Sequence, residues 1–81
     1  MNVQKLKDGL AELGIRHDAV SIDELDTAAE QYRLEKISGF WTVYYSERGA
    51  MVGTRKFLHE EDACIYLLDL LKSDPTTRIA R

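Results

Sequence analysis

The chain has one cysteine, one proline and one tryptophan in 81 residues. A lone Cys64 cannot close an internal disulfide, and the absence of disulfides fits a reducing cytoplasm. No apolar run approaches the ~18 residues of a membrane-spanning helix. The opening Met1-Asn-Val-Gln-Lys-Leu-Lys-Asp8 lacks the apolar core of a signal peptide, so neither export nor a membrane is expected. Glycine-rich phosphate loops are missing: no G-x-G-x-x-G or P-loop occurs. His17, His59 and Cys64 are the only nitrogen and sulfur ligand candidates, and no two have metal-ligand spacing. No cofactor or metal is expected. Residues 17–30 lack any Lys or Arg and hold Asp18, Asp23, Glu24, Asp26 and Glu30.

What is present is a periodic, moderately charged chain with 44% hydrophobic residues, ample for a globular fold. Its length sets one domain near the lower limit for folding without staples. The formal net charge of -3 conceals a segregation. Residues 31–59 carry Arg33, Lys36, Arg48, Arg55 and Lys56 against Glu35 and Glu47, a local excess of three positive charges. Such separation suits an electrostatically guided partner, although so short a chain also segregates charge by chance.

Val3, Leu6, Leu10 and Leu13 recur at helical spacing within 1–14, with Asn2 as N-cap and Gly14 as the C-terminal stop. Residues 15–30 read as an acidic loop, or as a short helix over about 22–30. In the helical alternative Ser21-Ile-Asp-Glu24 forms a capping box and Leu25, Ala28 and Ala29 face inward. The segment 31–58 reads as three strands. A two-residue Ser38-Gly39 turn pairs Ile37 with Phe40. Counting back pairs Lys36 with Trp41, Leu34 with Val43 and Tyr32 with Tyr45 on one face. Glu35 with Thr42 and Arg33 with Tyr44 fall on the other. Glu47-Arg48-Gly49 makes the next turn, and a third strand over 51–58 is weakened by Gly53. A helix over 60–73 carries Ala63, Cys64, Leu67, Leu68, Leu70 and Leu71 on its apolar stripe and acids in its first turn. Asp74-Pro75 ends it, and 74–81 reads as a frayed tail.

The expected fold is therefore α+β, a three-stranded antiparallel β-meander with N- and C-terminal helices on one face, in the order α-β-β-β-α. The second sheet face is expected to stay partly open.

Catalysis finds little purchase. Ser46 and His59 are the one nucleophile-base pair to weigh, and Ser46 more simply ends a strand. Carboxylate pairs such as Asp23 with Asp26 have no apolar pocket to raise a pKa. An aromatic sheet face with Arg33, Lys36, Arg55 and Lys56 could stack single-stranded nucleic acid, but the acidic balance opposes that. Binding of a protein suits the same surface better, because Tyr, Phe and Arg are enriched at hot spots and acids steer a basic partner.

The pattern Trp41-x-Val-Tyr-Tyr-Ser-Glu-Arg-Gly49, then Phe57, then Ala63-Cys-x-Tyr-Leu-x-x-Leu-Leu-x-x-Asp-Pro75 resembles a family of small bacterial immunity proteins of polymorphic and contact-dependent toxin systems. The motifs cover about residues 40–75. The resemblance implies a cytoplasmic protein that binds one cognate toxin domain and blocks it without catalysis. The acidic residues, standing in for phosphates, suit a toxin of nuclease type whose active site or substrate surface is occluded. His59 departs from the pattern where a Ser or Asp cap is expected. Trp41, Val43, Phe57, Cys64, Leu67 and Leu71 carry over as scaffold alone.

The candidate contacts for a basic toxin surface are Asp18, Asp23, Glu24, Asp26 and Glu30. Arg33, Phe40 and Tyr44 on the outer sheet face form a second set. The chain alone is expected to be a monomer or weak homodimer. The alternative function is a small cytoplasmic adaptor or regulatory domain that dimerises through its open sheet face.

Overall fold

The structure, a computed structural model, describes residues 1–22 and 30–78. Helix α1 spans Val3–Leu13, strand β1 Val20–Ile22, β2 Glu30–Ile37, β3 Phe40–Glu47 and β4 Ala50–Phe57, and helix α2 spans Glu60–Ser73. Short 3-10 turns at His17–Ala19 and Pro75–Thr77 flank β1 and follow α2.

The four strands lie in the order β1-β2-β3-β4. The β2–β3–β4 meander matches the expected one, and β2 pairs with β3 in the expected register from Tyr32 opposite Tyr45 to Ile37 opposite Phe40. Both hairpin turns take two residues with positive φ, Ser38 and Gly39 (50° and 85°), then Arg48 and Gly49 (50° and 83°). This is the mirror-image turn whose twist matches paired strands. Gly53, φ 66°, makes a bulge in β4, where the register shifts between Tyr45 opposite Val52 and Val43 opposite Arg55.

The three-stranded expectation is corrected by β1, which adds a fourth strand and makes the sheet mixed. Val20 pairs in parallel with Tyr32 and Ile22 with Leu34. Three residues are too few to show a period, and their partners lie 12 positions away, so the strand is invisible to local pattern. Ser21 sits inside β1, where the capping-box reading placed a helix cap. Of the 22–30 helix-or-loop question, Ile22 closes β1 and Glu30 opens β2, and residues 23–29 lie outside the described residues.

Both helices share one sheet face. Leu6 and Leu10 of α1, Leu67 and Leu71 of α2, and Leu34 and Val43 of the sheet form one buried cluster with Ile15, Ile22 and Cys64. Tyr32, Trp41 and Phe57 pack around it, so the helix-covered face is the one the hairpin register assigned to the core. Asn2 caps α1 by accepting the Lys5 N–H at 2.9 Å, and Gly14 ends it at φ 71°. Glu60 ties the helix starts together: its Oε2 accepts the Val3 N–H at 2.7 Å. That bond satisfies one of the orphan donors at the start of α1.

The expected frayed tail is also corrected, for residues 75–78. The Arg16 N–H donates to the Thr77 carbonyl at 2.7 Å, Arg78 bridges Ile15, and Thr77 is buried. Asp74 makes this possible by accepting from the Thr76 N–H and hydroxyl at 3.0 and 2.6 Å, which turns the chain back after α2.

Candidate partner-binding surface

Two regions compete as contact surfaces, the outer sheet face and the end of the sheet where β2 begins and β3 ends. The outer face is less open than expected. Tyr44 is 8% exposed and donates its hydroxyl to Glu35 Oε2 at 2.9 Å. Burial pushes the Tyr44 phenol above its ordinary pKa, and the hydrogen bond to Glu35 adds to this. Arg33 Nη2 holds the other Glu35 oxygen at 3.2 Å. Arg33 and Tyr44 are thus locked to one carboxylate across the hairpin and are not a free platform. Phe40, with its cross-strand neighbour Ile37, is exposed at the hairpin tip.

The sheet end carries the carboxylates. Glu30 lies directly opposite Glu47. Ile37 and Phe40 close a two-residue hairpin and form a hydrogen-bonded pair, so by alternation Glu30 and Glu47 are a non-hydrogen-bonded pair, the kind with the closest side chains. Both are exposed. They share the helix-side face with Tyr32 and Tyr45, whose rings meet edge-on at 5.0 Å. Tyr32 reaches on to Asp74, donating to Oδ2 at 3.0 Å. Burial raises the Tyr45 phenol, and the fields of Glu30, Glu47 and Asp74 raise it further, with Arg16 opposing. A recess of about 40 Å³, room for a water, lies among Arg16, Glu30, Tyr45 and Asp74.

Asp18 belongs to this end. Its backbone carbonyl accepts from Gln31 Nε2 at 3.4 Å, and its exposed carboxylate faces Arg16 Nη1 at 3.6 Å. Among the sequence-derived acidic contacts, then, Glu30 lines the recess and Asp18 is tied to Arg16 and to Gln31 beside it, and Asp23, Glu24 and Asp26 lie outside the described residues. Sequence reasoning missed Glu47, Asp74 and Tyr45. The signal for Glu47 was available: the same register, carried one pair past Gln31 and Ser46, places Glu47 against Glu30.

The remaining chemistry is placed as follows. Cys64 is fully buried in α2, and burial pushes its thiol upward, with Glu60 adding to it. Such a thiol is a packing group. Ser46 pairs with Met51 at one end of β4 while His59 follows its other end, so the strand's length separates them. Among the described residues no three of His, Cys, Asp and Glu are grouped to hold a metal, and no helix is long and apolar enough to cross a membrane. A half-open cleft of about 430 Å³ lies between the end of α1 and β1, floored by Leu10, Ile15 and Ile22 and rimmed by Lys7, Arg16 and His17.

No family model, curated protein or solved structure matches this chain.

Proposed function

We propose that this chain is a non-catalytic binding protein that neutralises a cognate bacterial toxin domain by occluding a basic, nucleic-acid-binding surface. The observation that carries the reading is the Glu30–Glu47 pair. Like charges directly opposed across a strand pair destabilise the sheet. A protein of this size has little stability to spare, so two glutamates in that position, around Tyr45 with Asp74, are explained best by a cationic partner that gains from them. Carboxylates in such an array take the place of phosphates in the partner's cleft, raising the association rate and excluding acidic competitors. The resemblance of residues 40–75 to immunity proteins supports the same reading from the sequence side.

The test is co-purification. The tagged chain is expressed with the open reading frame immediately upstream of its own. A tight one-to-one complex with a toxic domain is expected, sensitive to salt and to Glu30→Lys with Glu47→Lys. Failure to form any complex, or a complex indifferent to both changes, removes the acidic end from the mechanism.

A further inference from the structure

Strand β4 is an edge strand: among the described residues nothing pairs with its outer side. It is exposed from Ala50 to Lys56, and Met51 and Val52 are each about half exposed, 50% and 47%. Edges like this are open templates for another strand unless they are guarded. Here the guard is a bulge with two cations beside it, and the bulge determines what can pair.

The Arg48-Gly49 turn makes Glu47 and Ala50 a hydrogen-bonded pair. By alternation Ala50 and Val52 direct their backbone groups to β3, and beyond the bulge Arg55 and Phe57 do so, opposite Val43 and Trp41. The outward-facing backbone groups therefore belong to Met51 and Lys56, with the bulge residues Gly53 and Thr54 between them. In an unbroken strand outward groups recur at even spacing. Met51 and Lys56 are five positions apart, an odd spacing. A regular strand that bonds one of them is out of phase with the other.

A second copy of the same strand has the same fault in the same place. We infer that β4 pairs antiparallel with β4 of another copy of this chain, about a two-fold axis at the Gly53–Thr54 bulge, to give a continuous eight-stranded sheet. In that register Met51 of each chain meets Lys56 of the other, and both have outward backbone groups. Val52 meets Arg55, and Ala50 meets Phe57. Faces match as well, with Val52 and Arg55 on the helix side and Met51 and Lys56 on the outer side. Charge favours the arrangement, since every cation faces an apolar side chain and no cation faces its own copy. The aliphatic stem of Lys56 covers Met51, and that of Arg55 covers Val52. The interface is isologous, as a closed dimer requires. It uses a strand edge and leaves the acidic sheet end as a separate surface, so it stands independently of the toxin-binding reading.

Sedimentation equilibrium of the intact chain tests this, together with two variants. The mass is expected to rise with concentration from 9.3 kDa towards twice that value. Met51→Pro removes an outward N–H while sparing the bonds to β3, so the folded variant, checked by circular dichroism, is expected to have at least a ~tenfold higher dimer dissociation constant. The doubly substituted Val52→Cys, Arg55→Cys chain is expected to cross-link into covalent dimers on oxidation. Those positions form a non-hydrogen-bonded pair within the ~4.4–6.8 Å Cα reach of a disulfide. Val52→Cys alone is expected not to do so. A monomer up to about 1 mM, the weak end of specific association, overturns the inference. So does a dimer unmoved by Met51→Pro in a folded chain, or a Val52→Cys single variant that cross-links as well as the pair.

Discussion

The Tyr32 hydroxyl donates to Asp74 Oδ2 across 3.0 Å and fastens the third residue of β2 to the residue that ends α2. The same carboxylate accepts from Thr76, so one side chain joins the sheet, the end of the helix and the returning tail. Thr76 does most to hold the Asp74 carboxyl below its ordinary pKa, Tyr32 adds to this, and burial opposes it. Burial first and the bond to Asp74 second push Tyr32 up to about 12.

A pH dependence follows at both ends of the scale. Asp74 is more acidic in the folded chain than in the unfolded one, so its contribution is present above the ordinary value of 3.8 and is lost as pH falls through the lower folded value. Tyr32 has the opposite sign: its contribution is present below 10.0 and is lost as pH rises towards about 12. Urea midpoints measured across pH should fall in both arms. In Tyr32→Phe the alkaline loss should shrink and the acid loss should persist through Thr76. An unchanged alkaline arm would show that the Tyr32 phenol does not carry the alkaline loss.

The first hairpin turn leaves room for improvement. Ser38 adopts φ 50° without being glycine, a conformation that costs most side chains energy and that asparagine tolerates best. Ser38→Asn supplies the Asn-Gly pair favoured in this turn and should raise stability by about 0.5 kcal/mol or more. Thermal unfolding is the check. A loss of stability would mean that the Ser38 side chain has a role the turn geometry does not account for.

The hairpin was legible because the mirror-image turn propagates one register along eight residues of each strand, and Ser38-Gly39 declares that turn locally. The helices were legible for the same reason: Asn2, Gly14 and Pro75 mark ends that apolar periodicity fills between. What escaped depends on contacts distant in sequence. Strand β1 exists because Val20 to Ile22 find Tyr32 to Leu34, and the tail is ordered because Thr77 meets Arg16. For the site, composition pointed to Asp18 and Glu30. Glu47 and Asp74 entered through register and through the Tyr32 bond. The Tyr44–Glu35–Arg33 lock was hidden because the two-face argument assigns side chains to faces and does not say whether they bond there.

The core gives a direct stability test. Leu67 of α2 has no exposed surface and belongs to the buried cluster shared with α1 and the sheet. Leu67→Ala should cost about 2–5 kcal/mol, a large share of the ~5–15 kcal/mol typical of a whole domain. Chemical denaturation should show a sharply lower midpoint or an unfolded chain. A midpoint equal to that of the parent would place Leu67 outside the cooperative core.

The Glu30–Glu47 pair allows function and stability to be separated in one variant. Glu47→Lys replaces a like-charge pair by an opposite-charge pair across the same two strands, which should stabilise the chain by about 0.5 kcal/mol. The same change inverts one charge of the acidic end, so affinity for a basic partner should fall, mainly through a slower association rate that converges with the parent's at high salt. Stopped-flow binding beside thermal unfolding reads both quantities. A variant that gains stability and loses binding means the pair is retained for its partner at a cost to the fold. If Glu47→Lys gains stability and binds as before, the glutamates are a tolerated defect and the acidic end is not the contact surface. If it loses stability, the two carboxylates do not repel across the strands, and the argument for a cationic partner loses its basis.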